Sequence, residues 1–352
     1  MKTKVLVIFG GVSSEHDVSL VSASSVISQI PENKYDVRMM GITKTGNNYL
    51  YNGSAKNLPE DKWLENPDLL ENCVISTDRE HHGIIHLPFG NVEYVDVVFP
   101  VLHGKYGEDG TIQGLLEIAG IPYVGCNTAS SAVCMDKSLT NSVCDYNGIP
   151  HAKWITVKRN EFNNNKELFI DKVRDYLGYP VFVKPASAGS SVGINKVKNE
   201  ADLIKAFETA FEQDDKIVVE EGIDGTEVEC AVLGNDFPTA STVGEIVPCN
   251  EFYDYDAKYI SGTSELHIPA RLDEETSQAI RQTAVKAFRA FDCKGLARID
   301  FFIRKSDGNI FLNEPNTIPG FTSISMYPKL FEASGIPYSE LIDKLIMLAM
   351  EK

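Results

Sequence analysis

The chain contains no apolar run long enough to cross a membrane. Its first apolar stretch, Val5 to Phe9, ends at Gly10 and Gly11, whereas a spanning helix needs about 20 apolar residues. The stretch is also too short for the core of a signal peptide, so we expect it to be the first strand of a domain. We therefore predict a cytoplasmic protein without a membrane partner.

Other absences exclude further classes of protein. The seven cysteines include no Cys-x-x-Cys pair, so neither a disulfide framework nor a zinc site is indicated, and we expect buried thiols in a reducing compartment. No G-x-G-x-x-G follows the first strand, which disfavours a dehydrogenase. The 33 lysines and arginines form no basic run and face 50 acidic residues, for a net charge of -17. A nucleic-acid partner is therefore not expected.

The length predicts more than one domain, because 352 residues exceed the roughly 250 to 300 that one core usually serves. Strand and helix patterns alternate along the first third of the chain. They predict an open α/β domain with a parallel sheet over residues 1–127, followed by α+β units over residues 128–215 and 216–352.

Local signals refine the first of these units. Thr111 to Ala119 is predicted as a short helix that ends at Gly120. An earlier helix is expected to open at Ser13 or Ser14, since serine is a preferred N-cap. The polar residues 52–91 are interpreted as a peripheral excursion with a small hairpin, outside the main sheet.

The most informative pattern is a predicted β-hairpin formed by residues 296–303 and 309–312. In such a hairpin Asp300 and Glu314 can face each other. Asn316 lies two residues beyond Glu314, so in an extended chain the two side chains point to the same side. Two carboxylates and an amide oxygen suit Mg²⁺, which prefers oxygen ligands and usually also binds substrate phosphates.

Two further segments are candidates for nucleotide binding. A Gly-Ser-rich loop, residues 188–193, follows an apolar strand that closes with Lys184, and its backbone N–H groups could approach phosphates. Residues 220–223, which include two glutamates, end another apolar strand, with Glu227 beyond them, and could line a base and ribose pocket. Taken alone, the first also fits a tight turn and the second a solvated acidic face.

Two loops are candidates for substrate binding and closure. Residues 103–110 lie between a strand end and a helix N-terminus, where a small carboxylate substrate could bind. The loop 250–265 carries three tyrosines and a lysine. Because loops longer than about 12 residues in compact domains are often lids, we predict that it closes over a site.

Together these segments resemble the D-alanine:D-alanine ligases of the ATP-grasp superfamily almost from end to end. The resemblance implies a three-domain ATP-grasp architecture and a homodimer. The matching segments are residues 9–19, 103–110, 135–137, 183–193, the tyrosine-rich loop and residues 298–320.

The resemblance also implies the role of individual residues. For ATP, the implied binding residues are Lys137, Lys184, Ser191, Glu220, Glu221, Ile223, Glu227 and Lys258. For two Mg²⁺ ions, with Mn²⁺ as a possible substitute, the implied ligands are Asp300, Glu314 and Asn316. For the first D-alanine, they are Glu15 at its ammonium, His103 near its carboxyl group, and Arg298 with the Gly320 amide at the oxyanion. The residues implied for lid closure are Ser190 and Tyr259. Those implied for binding the carboxylate of the second D-alanine are Ser325 and Met326.

The implied reaction is ATP-dependent ligation of two D-alanine molecules through a D-alanyl phosphate, for peptidoglycan precursors and hence cell-wall biogenesis and cell shape. Lys258 and Tyr259 favour an amine acceptor, so D-alanine:D-serine ligation is the nearest alternative and D-lactate a weaker one. A non-catalytic nucleotide-binding protein of the same fold is a third. Pro315, where relatives usually carry a small or β-branched residue, predicts an edge strand because proline lacks a backbone N–H.

Overall fold

The computed structural model describes residues 2–87, 89–189, 192–247 and 265–351. Four of the expected site residues, Ser190, Ser191, Lys258 and Tyr259, lie outside the described residues, as do residues 250–264 of the expected lid loop. Among the described residues, no helix is both long enough and apolar enough to span a membrane.

The first sheet has seven strands in the order β6-β5-β4-β3-β2-β1-β7. The strands are β1 (Thr3–Gly10), β2 (Tyr35–Ile42), β3 (Asn48–Tyr51), β4 (Leu70–Ile75), β5 (Gly83–His86), β6 (Asn91–Tyr94) and β7 (Val97–Val101). Strand β1 pairs in parallel with both β2 and β7, as the buried apolar runs predicted. Helix α2 (Thr111–Ala119) ends at Gly120 in the left-handed conformation, which confirms that prediction.

The interpretation of residues 52–91 as an excursion outside the sheet was wrong. Strands β3 to β6 continue the sheet by antiparallel pairing from β2 outward. Their strands are short, and the outermost, β6, is largely exposed. Half-exposed antiparallel strands need little apolar sequence, which is why the polar composition concealed them.

The first helix begins later than predicted. Helix α1 (His16–Gln29) has Glu15 as its N-cap, without a side-chain capping bond. The Ser13 hydroxyl instead accepts the Glu15 N–H at 3.1 Å, in a turn that precedes the helix. The helix therefore starts directly after Glu15.

The second sheet has four strands in the order β10-β9-β11-β8. They are β8 (Trp154–Lys158), β9 (Val181–Pro185), β10 (Asn195–Val197) and β11 (Lys216–Glu221). The helices near them are α3 (Thr128–Met135), α4 (Lys137–Asn147), α5 (Arg159–Asn164), α6 (Lys166–Lys172), a π-helical turn at Val173–Leu177, and α7 (Leu203–Phe211). Because β11 pairs with β8 and β9, we propose moving the boundary predicted at residues 215/216 to a point after Glu221.

The third sheet has five strands in the order β14-β13-β12-β15-β16. They are β12 (Gly225–Gly234), β13 (Thr239–Val247), β14 (Glu265–His267), β15 (Gly295–Arg304) and β16 (Ile310–Asn316). The remaining helices are α8 (Glu274–Ala290), α9 (Met326–Ala333) and α10 (Tyr338–Met350). Strand β16 is at the edge of the sheet, which confirms the prediction made from Pro315.

One apolar core joins the first and third sheets. Val7 and Phe99 of the first sheet belong to the same buried cluster as Leu296 of the third, and Leu341 and Ile342 of α10 fill the space between. This shared core fixes the ends of β1 and β7 against the hairpin of β15 and β16. The loops that carry Glu15 and His103 are thereby held beside Arg298.

Candidate active site

Two cavities meet between the three sheets. The smaller, of about 310 Å³, and the larger, of about 600 Å³, both fall within the range typical of small-molecule sites. Lys137 and Glu314 line both cavities. Lys137 follows the N-cap Asp136 of α4, and Glu314 lies on β16. A molecule in one cavity can therefore meet a molecule in the other cavity between these two side chains.

The smaller cavity holds most of the residues expected around the amino-acid substrates. Of the expected residues that the structure describes, it is lined by Glu15, His103, Lys137, Arg298, Glu314, Asn316, Gly320, Ser325 and Met326. At one wall, a Cβ at Gly104 would lie 2.4 Å from Glu15 Oε2, and one at Gly189 would lie 2.9 Å from the same atom. Glycine at both positions therefore allows the backbone to approach the Glu15 carboxylate closely.

His103 is buried and held in one tautomer. Its Nδ1 lies 3.1 Å from the carbonyl oxygen of Ile318, so Nδ1 carries the proton, and Nε2 accepts the Ser22 hydroxyl at 3.0 Å. Burial lowers the pKa of His103 to about 4, the Ile318 carbonyl opposes this, and the positive charge of Arg298 adds to the lowering. The ring is therefore neutral at physiological pH.

Glu108 is a second acid in the smaller cavity that the sequence analysis did not assign. Its Oε2 accepts the Gly104 N–H at 2.6 Å. Burial, followed by the neighbouring Glu15 carboxylate, raises the pKa of Glu108 to about 8, although backbone donors and Arg298 act in the opposite direction. Near neutral pH the Glu108 carboxyl group is therefore largely protonated.

Glu108→Gln is expected to flatten the pH dependence of stability. A pKa raised in the folded state stabilises the protein fully below the unfolded pKa near 4.5, and this is lost as pH rises to about 8. The slope reaches about 1.4 kcal/mol per pH unit at most. Urea unfolding between pH 5 and 8, without substrates, measures it. The exposed Glu80→Gln is the control, and equal slopes for wild type and Glu108→Gln would contradict the assignment.

Three carboxylates lie side by side across three strands of the third sheet. Glu229 of β12 is in register with Asp300 of β15, which is in register with Glu314 of β16. This confirms that Asp300 and Glu314 face each other. Asn316 is in register with Arg298, and its amide nitrogen lies 2.9 Å from Asp300 Oδ2.

The Arg298 guanidinium lies between two of these carboxylates. It donates from Nε and Nη2 to the two oxygens of Asp300, each at 2.8 Å. Its Nε also lies 3.0 Å from Glu229 Oε2. All three side chains are largely buried, so each charge depends on the others for compensation.

Three side chains of β15 and β16 have the chemistry to bind a divalent cation. Asp300, Glu314 and Asn316 supply oxygen atoms of the kind that Mg²⁺ prefers, and Asp300 and Glu314 face each other across the hairpin. Glu314 is the more accessible of the two acids, with about 30% of its side chain exposed toward the cavities. Its Oε2 also lies 3.7 Å from the Lys137 ammonium. A phosphate at this position could therefore contact both the cation and the ammonium group.

The larger cavity contains the residues expected to bind the nucleotide. It is lined by Lys137, Lys184, Glu220, Glu221, Ile223, Glu227 and Glu314. Lys184 donates to Glu220 Oε2 at 2.6 Å, and Asn141 donates to Glu220 Oε1 at 2.9 Å. Burial alone would raise the pKa of Glu220, but the Lys184 ammonium holds it below its usual range. The pair thus keeps a lysine charged inside the cavity.

At the other end of the smaller cavity, Gly320 and Ser325 approach closely. A Cβ at Gly320 would lie 2.7 Å from the Ser325 hydroxyl. That hydroxyl accepts the Thr322 N–H at 3.0 Å and stands at the N-cap of α9, so the loop before Met326 is a tight turn. The Gly320 backbone is therefore held in the wall of the cavity that Arg298 also lines.

Comparison with known protein families decides the classification. Residues 4–126 match the family described as D-ala D-ala ligase N-terminus, and residues 143–347 match the D-ala D-ala ligase C-terminus. The chain belongs to the D-alanine–D-alanine ligase family. It is thus a member of a family of ATP-dependent ligases with the ATP-grasp fold.

Relatives and solved structures agree with this membership. The D-alanine–D-alanine ligase of Caldicellulosiruptor bescii is 50% identical over 100% of this chain and 96% of its own, and that of Acetivibrio thermocellus is 51% identical over the same shares. The VanG D-Ala:D-Ser ligase of Enterococcus faecalis superposes with a TM-score of 0.91 at 44% identity, covering 99% of this chain and 100% of that one. The D-alanine–D-alanine ligase of Coxiella burnetii superposes with a TM-score of 0.87 at 37% identity, covering 99% of this chain and 96% of that one.

Sequence reasoning missed several residues of this family member's site. Glu108 lay within a motif already singled out, and only its burial next to Glu15 marks it as unusual. Glu229 could have been found, since it lies two residues after Glu227 and therefore on the same face of a strand. Ser22 and Asn141 left no signal, because their roles depend on contacts with His103 and Glu220 that are distant in sequence.

Proposed function

We propose that the chain joins two D-alanine molecules to D-alanyl-D-alanine with ATP, through a D-alanyl phosphate. The observation that carries this proposal is the meeting of the two cavities at Lys137 and Glu314. A nucleotide in the larger cavity would present its terminal phosphate to a carboxylate bound in the smaller one. The family membership supports the same reaction.

The lysines of the larger cavity would hold the phosphates. Lys137 and Lys184 carry the positive charge, and Glu220 keeps Lys184 in place until the phosphates arrive. Mg²⁺ held by Asp300, Glu314 and Asn316 would supply further neutralisation of the phosphoryl oxygens. Glu221, Ile223 and Glu227 are proposed to line the adenine and ribose end, and Ser191 and Lys258 to add phosphate contacts.

The first D-alanine would lie with its ammonium at Glu15 and its carboxyl group near His103 and Arg298. A neutral His103 leaves the substrate carboxylate its charge, so the carboxylate remains a nucleophile. When the second amine attacks the acyl phosphate, a tetrahedral oxyanion forms, and Arg298 with the Gly320 N–H would stabilise it. Ser190 and Tyr259 are proposed to close the lid with Glu15, which would keep water from the acyl phosphate.

The second D-alanine would place its carboxylate at Ser325 and Met326, where helix α9 begins. Backbone N–H groups at a helix N-terminus attract anions. A second candidate function is D-alanine:D-serine ligation, because the VanG D-Ala:D-Ser ligase shares the fold at 44% identity. The two candidates share the first substrate and differ only in what this end of the cavity accepts.

The deciding experiment is phosphate release from ATP and Mg²⁺, with identification of the dipeptide by mass spectrometry. D-alanine alone is expected to support release and to yield D-alanyl-D-alanine. A mixture of D-alanine with excess D-serine or D-lactate tests the alternatives by their products. No D-alanine-dependent release under any mixture would overturn the proposal, and predominant D-alanyl-D-serine would transfer it to the second candidate.

Location, oligomeric state, metal use and domain boundaries are further parts of the proposal. We propose a cytoplasmic homodimer that uses Mg²⁺ or Mn²⁺ and supplies peptidoglycan precursors. We also propose three units that meet at the cavities, with boundaries near residue 127 and after Glu221. Sedimentation at several protein concentrations would test the dimer, and a single monomeric species would contradict it.

A further inference from the structure

The side chain of Glu229 is a buried acid to which neither the sequence analysis nor the proposed reaction gives a role. It is 2% exposed and lines the smaller cavity. It lies on β12, in register with Asp300 on one side and Gly244 on the other. Gly244 packs closely beneath Met326 of α9, so Glu229 is covered on a face from which water is largely excluded. A buried carboxylate is costly unless it is paired.

Glu229 forms an ion pair with Arg298, at 3.0 Å between Oε2 and Nε. Asp300 binds the same guanidinium through both of its oxygens, and its Oδ2 also accepts the Asn316 amide. Asp300 is thus shared between the guanidinium, the amide and, under the proposed function, a divalent cation. A carboxylate that turns toward a cation weakens its bonds to the guanidinium.

We propose that Glu229 is a positioning residue that holds the Arg298 guanidinium when Asp300 binds a divalent cation. The inference rests on the proposed function, in which Asp300 is a metal ligand. With Glu229 present, Arg298 keeps a buried anionic partner and stays at the cavity wall. Without Glu229, Arg298 loses this buried anionic partner and competes with the cation for the oxygens of Asp300.

The first test is Mn²⁺ binding to the full-length protein with ADP, followed by electron paramagnetic resonance. Glu229→Gln is expected to weaken Mn²⁺ binding and to lower kcat, each by about 10- to 100-fold, the range seen for groups that orient metal ligands. The KM for ATP stays near the wild-type value, since Glu229 does not line the larger cavity. Glu229→Asp retains the charge and is expected to recover a large part of both losses.

The second test is a double-mutant cycle with Arg298→Met. If Glu229 acts through Arg298, adding Glu229→Gln to Arg298→Met changes Mn²⁺ affinity by less than about twofold. An undiminished loss in that background would show that Glu229 is itself a metal ligand, and the proposal would be overturned. Unchanged Mn²⁺ binding and kcat in folded Glu229→Gln would also overturn it.

Failure of the proposed function would look different. In that case the wild-type protein itself would release no phosphate with D-alanine and would bind no Mn²⁺ in the presence of ADP. If wild type releases phosphate and binds Mn²⁺, and the Glu229 variants do so equally well, the positioning role of Glu229 is refuted while the proposed function stands. Thermal unfolding of each variant without ligands separates either result from misfolding.

Discussion

Arg298→Met is expected to reduce kcat by about 10² to 10³-fold, the cost of removing one oxyanion-stabilising donor. The reason is geometric, because the guanidinium lines the same cavity as Gly320 and is held by Asp300 and Glu229. Removal also takes the Arg298 cation away from two buried carboxylates. We therefore expect a loss of about 3 to 5 kcal/mol in the free energy of unfolding without ligands.

The matched control for this variant is Arg298→Lys. Lysine keeps the positive charge but cannot contact both oxygens of Asp300 with a planar fork. It should recover most of the stability and only part of kcat. Steady-state kinetics and urea unfolding measure the two effects, and a methionine variant with wild-type kcat would remove Arg298 from the proposed chemistry.

Glu314→Gln is expected to lower kcat by at least about 100-fold, beyond the range typical of groups that only orient metal ligands. The substitution keeps the shape of the side chain and removes a charge that faces Asp300 and lies near Lys137. Glu314 is partly exposed on an edge strand, so the fold should be retained. The Mg²⁺ concentration needed for half-maximal activity should rise.

The control for Glu314 is the exposed Glu332→Gln on α9, which should leave kcat and the Mg²⁺ requirement unchanged. Mn²⁺ binding in the presence of ADP gives a readout independent of turnover. A Glu314→Gln protein that binds Mn²⁺ and turns over like wild type would show that the cation is held elsewhere.

The sequence predicted the hairpin of β15 and β16 because its signals are local. The turn at residues 306–308 and the two-residue period predict the hairpin without any reference to the rest of the chain. The edge position of β16 followed from Pro315 for the same reason. The pairing of Asp300 with Glu314 is not local in this sense, because a bulge between Asp300 and Phe301 shifts the register from Asn313 to Glu314.

Features that depend on distant contacts were missed or misjudged. The antiparallel strands β4 to β6 are joined to the sheet through β3, which pairs with β2, rather than by their own apolar pattern. The raised pKa of Glu108 arises from burial and from Glu15, 93 positions earlier in the chain. The start of α1 moved because the Ser13 hydroxyl was used in a preceding turn.

The edge position of β16 has a consequence for the behaviour of the protein in concentrated solution. An edge strand offers free backbone donors to which another chain can add, and this is a route to aggregation. In β16 the Leu312 N–H already donates to the Pro150 carbonyl at 2.7 Å, and Pro315 has no N–H to offer. The strand that carries Glu314 and Asn316 is thereby protected against the addition of a foreign strand.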